Sequence, residues 1–219
     1  MEPEQTQTDE QASEFMLAEY NTLRELRQSL DTVGENRVNF FLATASGSVV
    51  GLALINQLSV QVEILFFLNG AVFVGLFSLG LITFARMVER SVNIILFTRG
   101  MNRIRRYFSD RHPAIERYLW LPVYDDKPSL KATLFDFKAR RWSLTGLPPM
   151  VAIINSIITT VGSVILARIA LNIVIEWSLI IGVGAFLLAM TFQYRYYSNR
   201  VQAKRQSTLI NFPSPQKVK

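Results

Sequence analysis

An all-α fold of four transmembrane helices, paired as two hairpins beneath a helical cytosolic layer, is what this chain predicts, and three observations carry the prediction. Apolar residues gather in four blocks, Val38–Leu58, Ile64–Phe84, Met150–Leu171 and Ile173–Phe192. Each is about 20 residues long, enough for a helix to cross a hydrocarbon layer about 30 Å thick. Charge is almost excluded from them, with Arg168 in the third and Glu176 in the fourth as exceptions. The basic residues are also one-sided: of 23 Lys and Arg, Arg168 alone lies toward the hairpin tips. Four buried helices of a water-soluble protein would have to be apolar on every face, and 219 residues are too few to enclose them.

Composition agrees with the blocks. Half the residues are hydrophobic and 18% are charged, an apolar balance for a soluble domain. There is no cysteine, so disulfides, thiolate metal sites and cysteine nucleophiles are excluded. A polar, acidic stretch of nearly forty residues precedes the first span. It has neither the basic start nor the short apolar run of a cleaved signal peptide, so the first span itself is expected to direct insertion.

Basic residues in short loops near spans stay on the cytosolic side. Ser59–Glu63, between spans one and two, has none, and neither does Asn172, which joins spans three and four and is followed by Glu176. Both hairpin tips are therefore expected outside, with the N-tail, the central loop and the C-tail in the cytosol. Aromatic residues fit this orientation. Trp142 and Tyr194, Tyr196 and Tyr197 border spans three and four on the inner side, and Trp177 lies at the outer edge. Arg37, Arg86 and Arg195 flank spans where their stems can reach headgroups.

Along the chain, residues 1–12 read as a disordered acidic tail and 13–37 as a cytosolic amphipathic helix, with Met16, Leu23 and Leu30 recurring every seven residues beside Leu26 and Val33. Gly34 is expected to bend the chain. Residues 38–84 form hairpin one, 85–148 a basic cytosolic helix and loop, 149–193 hairpin two, and 194–219 a basic cytosolic tail. Within the loop, Arg86 to about Ser109 extends span two as a helix. Pro113 ends or restarts it, LPVYDDKP at Leu121–Pro128 is a turn, and Leu130–Trp142 is amphipathic. Gly47-Ser48-Val49 and Gly162-Ser163-Val164, each followed by an acid, suggest a duplicated hairpin.

Charge divides sharply. Residues 1–37 carry net −6, residues 87–147 net +6, and the last 22 residues hold five bases and no acid. Arg99, Arg103, Arg105 and Arg106 are expected to offer a surface to anionic lipid headgroups, worth about 1 kcal/mol per basic residue near an anionic leaflet, or to a cytosolic protein partner. The acidic tail of the same chain is a third counterpart. Nucleic acid is not expected, because the basic residues lie where membrane topology already requires them.

Two constellations stand out in the spans. Ala43, Gly47 and Gly51, with Ala71 and Gly75 in span two, form small-residue faces on which helices can approach closely, either inside the bundle or between copies of the chain. Asn155, Ser156, Thr159, Thr160 and Ser163 fall on one broad stripe of span three, where they either bond to neighbouring helices or line a water-filled path. Asn69 and Arg168 could join that path.

Chemistry is poorly supplied. His112 is the only histidine, and Asp125 and Asp126 are read as solvent-facing acids of a proline-bounded turn. No metalloprotease, nucleophile-elbow or phosphate-loop motif occurs. No catalytic, cofactor-binding or metal-binding residue is assigned, and an enzyme is not expected.

The stretches Glu14–Arg24 (EFMLAEYNTLR), Asn102–Phe108 (NRIRRYF) and Leu119–Lys127 (LWLPVYDDK) resemble uncharacterised small multi-pass proteins of bacteria. The resemblance implies an inner-membrane setting and no known activity. The expected function is a non-enzymatic membrane component, oligomeric through its spans, that presents its cytosolic surface to a partner or to lipid. The alternative is a pore or membrane-perturbing effector gated through the cytosolic layer.

Overall fold

The computed structural model describes residues 2–55, 57, 61–133, 146–169, 171–207 and 209–215, with side chains described from Asp9 onward except at Val62 and Ile169. Several expected features lie outside these residues: Lys138, Arg140, Arg141 and Trp142 at the end of the central loop, and Lys217 and Lys219 in the tail. The described residues form five α-helices and one 3-10 turn and contain no strand. These are α1 (Glu2–Ile55), α2 (Val62–Arg111), the turn Pro113–Tyr118, α3 (Lys127–Thr133), α4 (Leu147–Ile169) and α5 (Ile175–Ser207).

Helix α1 has 54 residues and α2 has 50. At 1.5 Å per residue each is about 75–80 Å long, more than twice the hydrocarbon thickness, so each must leave the bilayer. Helix α1 begins at Glu2, so the stretch expected as a disordered tail is helical in the structure. Glu and Gln are good helix formers, and Pro3 falls in the first turn, where no backbone donor is needed. Nor does Gly34 break the helix. It is buried.

The chain forms two compact units. The first, Val33–Glu89 with Arg141–Arg200, is the membrane unit and holds the apolar parts of α1, α2, α4 and α5. Four helices here are long and apolar enough to span a bilayer, which makes this a multi-pass membrane protein. Its surface is inverted relative to a soluble protein. Within the most apolar window of α2 only 6% of residues are buried by the chain, and Phe67, Val74, Leu188 and Phe192 point outward. Inside, Val38, Phe41, Phe84, Met87, Val88, Val151 and Ala152 form a core, with Leu79, Ile154 and Met190 packed against it. Between α4 and α5, Asn172 adopts a left-handed conformation (φ 55°), which asparagine tolerates at small cost, and closes a very short turn.

The second unit, Met1–Thr32 with Arg90–Arg140 and Val201–Lys219, is the polar unit. In it α1 lies antiparallel on α2. Asp9 pairs with Arg111 at 3.3 Å, Tyr20 accepts from Arg105 at 3.0 Å, Leu23 packs on Gly100, and Arg90 donates to the Leu30 carbonyl at 2.9 Å and pairs with Asp31. The opposite net charges of the two segments thus meet within one chain. Met16, Leu23 and Leu30 turn toward the unit, while Leu26 and Val33 stay exposed. A Cβ at Gly100 would stand 2.8 Å from Leu23 Cδ1, so glycine is what lets the helices come this close.

Candidate functional site

In the membrane unit the small residues do not pack as the sequence suggests. Nothing lies within 4 Å of a Cβ built at Gly47, Gly51 or Gly75, and Ala43 and Ala71 are exposed. These faces are open in the single chain. Close approach is made instead by Gly80, Gly162 and Gly182, where a Cβ would meet Asn155 Oδ1 at 1.9 Å, Phe73 Cζ at 1.9 Å and Val164 Cγ2 at 2.6 Å. Gly47 is open while Gly162 is tightly packed, so the two Gly-Ser-Val motifs are not used alike.

The polar stripe of α4 divides in two. Asn155 and Ser156 are buried and meet Gln193 of α5, itself buried. Asn155 Nδ2 donates to Gln193 Oε1 at 3.2 Å, and Gln193 Nε2 reaches Ser156 Oγ at 3.4 Å and the Ala152 carbonyl at 3.3 Å. Thr159, Thr160 and Ser163 each donate to the carbonyl four residues earlier, at 2.7–2.8 Å. Such bonds satisfy hydroxyls within their own helix in an apolar surrounding. Asn69 does the same through its amide, to Leu65 at 2.7 Å, and Arg168 donates to the Ile173 carbonyl at 3.1 Å beside the turn.

The arginines expected to form an outward surface turn to the chain itself. Arg99 is 1% exposed and donates to the Arg205 carbonyl at 2.9 Å. Burial lowers its pKa from the ordinary value; Asp125 opposes that, and Arg103 and Arg205 reinforce it. Arg103 Nε pairs with Asp125 at 2.7 Å, Arg105 donates to Asn102 Oδ1 at 2.6 Å, and Arg106 pairs with Asp110 at 2.6 Å and lies over the Tyr124 ring. Helical spacing places them all on α2, but α1, the 119–126 loop and the end of α5 close over them.

What the sequence reading missed is the acid pair. Asp125 and Asp126, expected in solvent, are 0% and 7% exposed. Together they grip the chain after α5. Asp125 accepts the Asn211 N–H at 3.1 Å and the Phe212 N–H at 3.0 Å, and its own N–H donates to the Phe212 carbonyl at 3.2 Å. Asp126 caps α3 through the Ser129 N–H at 3.0 Å and also accepts the N–H of Ser214 at 2.9 Å and its hydroxyl. Arg103 Nη2 donates to the Leu209 carbonyl at 2.6 Å. Burial opposes ionisation of Asp125, but Arg103 and the amides of Asn211 and Phe212 outweigh it and hold the carboxyl below the usual range. For Asp126 burial is likewise outweighed, here by Ser214 and Ser129.

Ahead of the acid pair in the chain, the 3-10 turn ends at Tyr118, followed by Trp120, and the two are 74% and 89% exposed. Among the described residues no group of three His, Cys, Asp or Glu side chains is placed to hold a metal ion, and His112 is exposed. Compared with protein-family models, curated proteins and solved structures, the chain matches none of them.

Proposed function

We propose that this is a non-enzymatic, multi-pass inner-membrane protein of a bacterium that holds its polar unit in the cytosol and presents it to a protein partner. The observation that carries the reading is Trp120, 89% exposed beside Tyr118 in a unit that contains none of the spans. Exposed tryptophan and tyrosine are among the residues most often central to protein interfaces. Lipid headgroups are the weaker counterpart, because Arg99, Arg103, Arg105 and Arg106 are engaged within the chain. A pore is disfavoured by the same kind of argument: Asn155 and Ser156 are buried against Gln193, and the hydroxyls of Thr159, Thr160 and Ser163 are bonded to their own helix.

A photo-crosslinking residue at position 120, in cells, tests the reading. Discrete adducts at 120 that are missing with the same residue at the exposed Arg195 support it; no adduct at 120 contradicts it. The open face of Ala43, Gly47 and Gly51 supports homo-oligomerisation through the spans. The measured mass in detergent should then exceed one chain and fall to one chain in Gly47→Ile.

A further inference from the structure

We infer that the notch made by Asp125 and Asp126 is a peptide-binding site, with the chain's own residues 209–215 as resident occupant. Its ligand is an extended segment of the pattern x-x-Pro-Ser, supplied in trans by a partner protein when the tail is displaced. This rests on the partner reading above and names the partner's chemistry.

The notch reads main chain rather than side chains. It takes the Leu209 and Phe212 carbonyls and the N–H groups of Asn211, Phe212 and Ser214. Leu209 is 79% exposed and Phe212 38%, so the apolar cover comes from Phe212 and adds to a hold made of main-chain bonds. A segment held in this way is replaceable by any other that offers the same donors.

The selectivity lies in the gap. Asp125 takes the two amides before Pro213 and Asp126 takes the one after it. Pro213, which has no N–H, falls between those donors, at a position that neither carboxylate serves. It is exposed, so its contribution is the restricted backbone that presents the flanking amides in one extended form. The Ser214 hydroxyl adds the one side-chain contact, also to Asp126.

Asp125 is fully buried beneath the tail, and its tail donors are two of the groups that hold its carboxyl below the usual range. A departing tail opens the notch to water and gives up these charge-assisted bonds, and a second x-x-Pro-Ser segment restores them. The resident tail competes from a tether, at an effective concentration on the order of millimolar.

The probe is a fluorescein-labelled synthetic peptide spanning residues 208–219, titrated against the full-length protein in nanodiscs. Phe212→Pro/Ser214→Pro in the full chain removes two tail donors without touching the notch, and its helical content should match wild type. The peptide should bind this variant at least 10-fold more tightly than wild type. A peptide carrying the same two substitutions should bind at least 10-fold more weakly. Absence of saturable binding to the variant, or equal binding of both peptides, would overturn the assignment. Loss of peptide binding with the position-120 adducts retained removes the notch alone; the reverse result removes the Trp120 partner reading alone.

Discussion

Asn155 presses its Oδ1 against the backbone of Gly80, so closely that a Cβ on Gly80 would stand 1.9 Å from that oxygen. The pair joins α4 to α2 beside the buried Asn155–Gln193 bond. Phe41 Cζ, 3.2 Å from the same point, closes the third side.

Gly80→Ala should therefore destabilise the membrane unit by about 1–3 kcal/mol through overpacking. Gly75→Ala, on the same helix but with open space around it, should be neutral or slightly stabilising, since alanine is the better helix former. Thermal unfolding in detergent separates the two. Equal melting shifts would mean that Asn155 does not pack on Gly80. Gly80→Ala/Asn155→Ala should recover part of the loss if the clash is its cause.

In the polar unit the contrast is between Leu23 and Leu26, three residues apart on α1. Leu23 packs on Gly100, whereas Leu26 is 46% exposed. Leu23→Ser should cost about 1.5 kcal/mol and open the Arg99–Arg106 stretch to trypsin. Leu26→Ser should change stability by less than about 0.5 kcal/mol. Faster cleavage in Leu26→Ser than in Leu23→Ser would reverse the assigned faces of the helix.

The tail's hold on the notch depends on pH in a defined direction. Asp125 and Asp126 have carboxyl groups held below their ordinary values in the folded chain. Their contribution is fully present above the unfolded value, about 3.9, and is lost only as pH falls through the lower folded values. Hydrogen-exchange protection of the Asn211, Phe212 and Ser214 amides should thus persist from pH 7 to 5 and fail only in stronger acid. Loss of protection between pH 7 and 5 would show that the carboxylates do not hold those amides.

The spans were legible because an unbroken run of about 20 apolar residues has few other folded uses. The inward stripe of Met16, Leu23 and Leu30 was legible because a seven-residue repeat keeps one face of a helix. The packing glycines were not. Spacing marked Gly47, Gly51 and Gly75, which are open, and passed over Gly80, whose partner on α4 lies 75 residues away. Spacing records which residues share a face but not which neighbour that face meets. The acid pair was illegible for a related reason. Asp125 and Asp126 bind main-chain amides 86–88 residues downstream, and backbone donors leave no mark in a side-chain pattern. Pro213 was the one available signal, and it has meaning only once the two carboxylates stand on either side of it.

The proposed topology, with the polar unit in the cytosol, is tested most directly by labelling single cysteines, since the chain has none of its own. Gln61, exposed between spans one and two, reports one side, and Trp120, 89% exposed in the polar unit, reports the other. A membrane-impermeant maleimide applied to intact cells should label Gln61→Cys and leave Trp120→Cys untouched until the membrane is permeabilised. Labelling of Trp120→Cys in intact cells would place the polar unit outside and contradict the account.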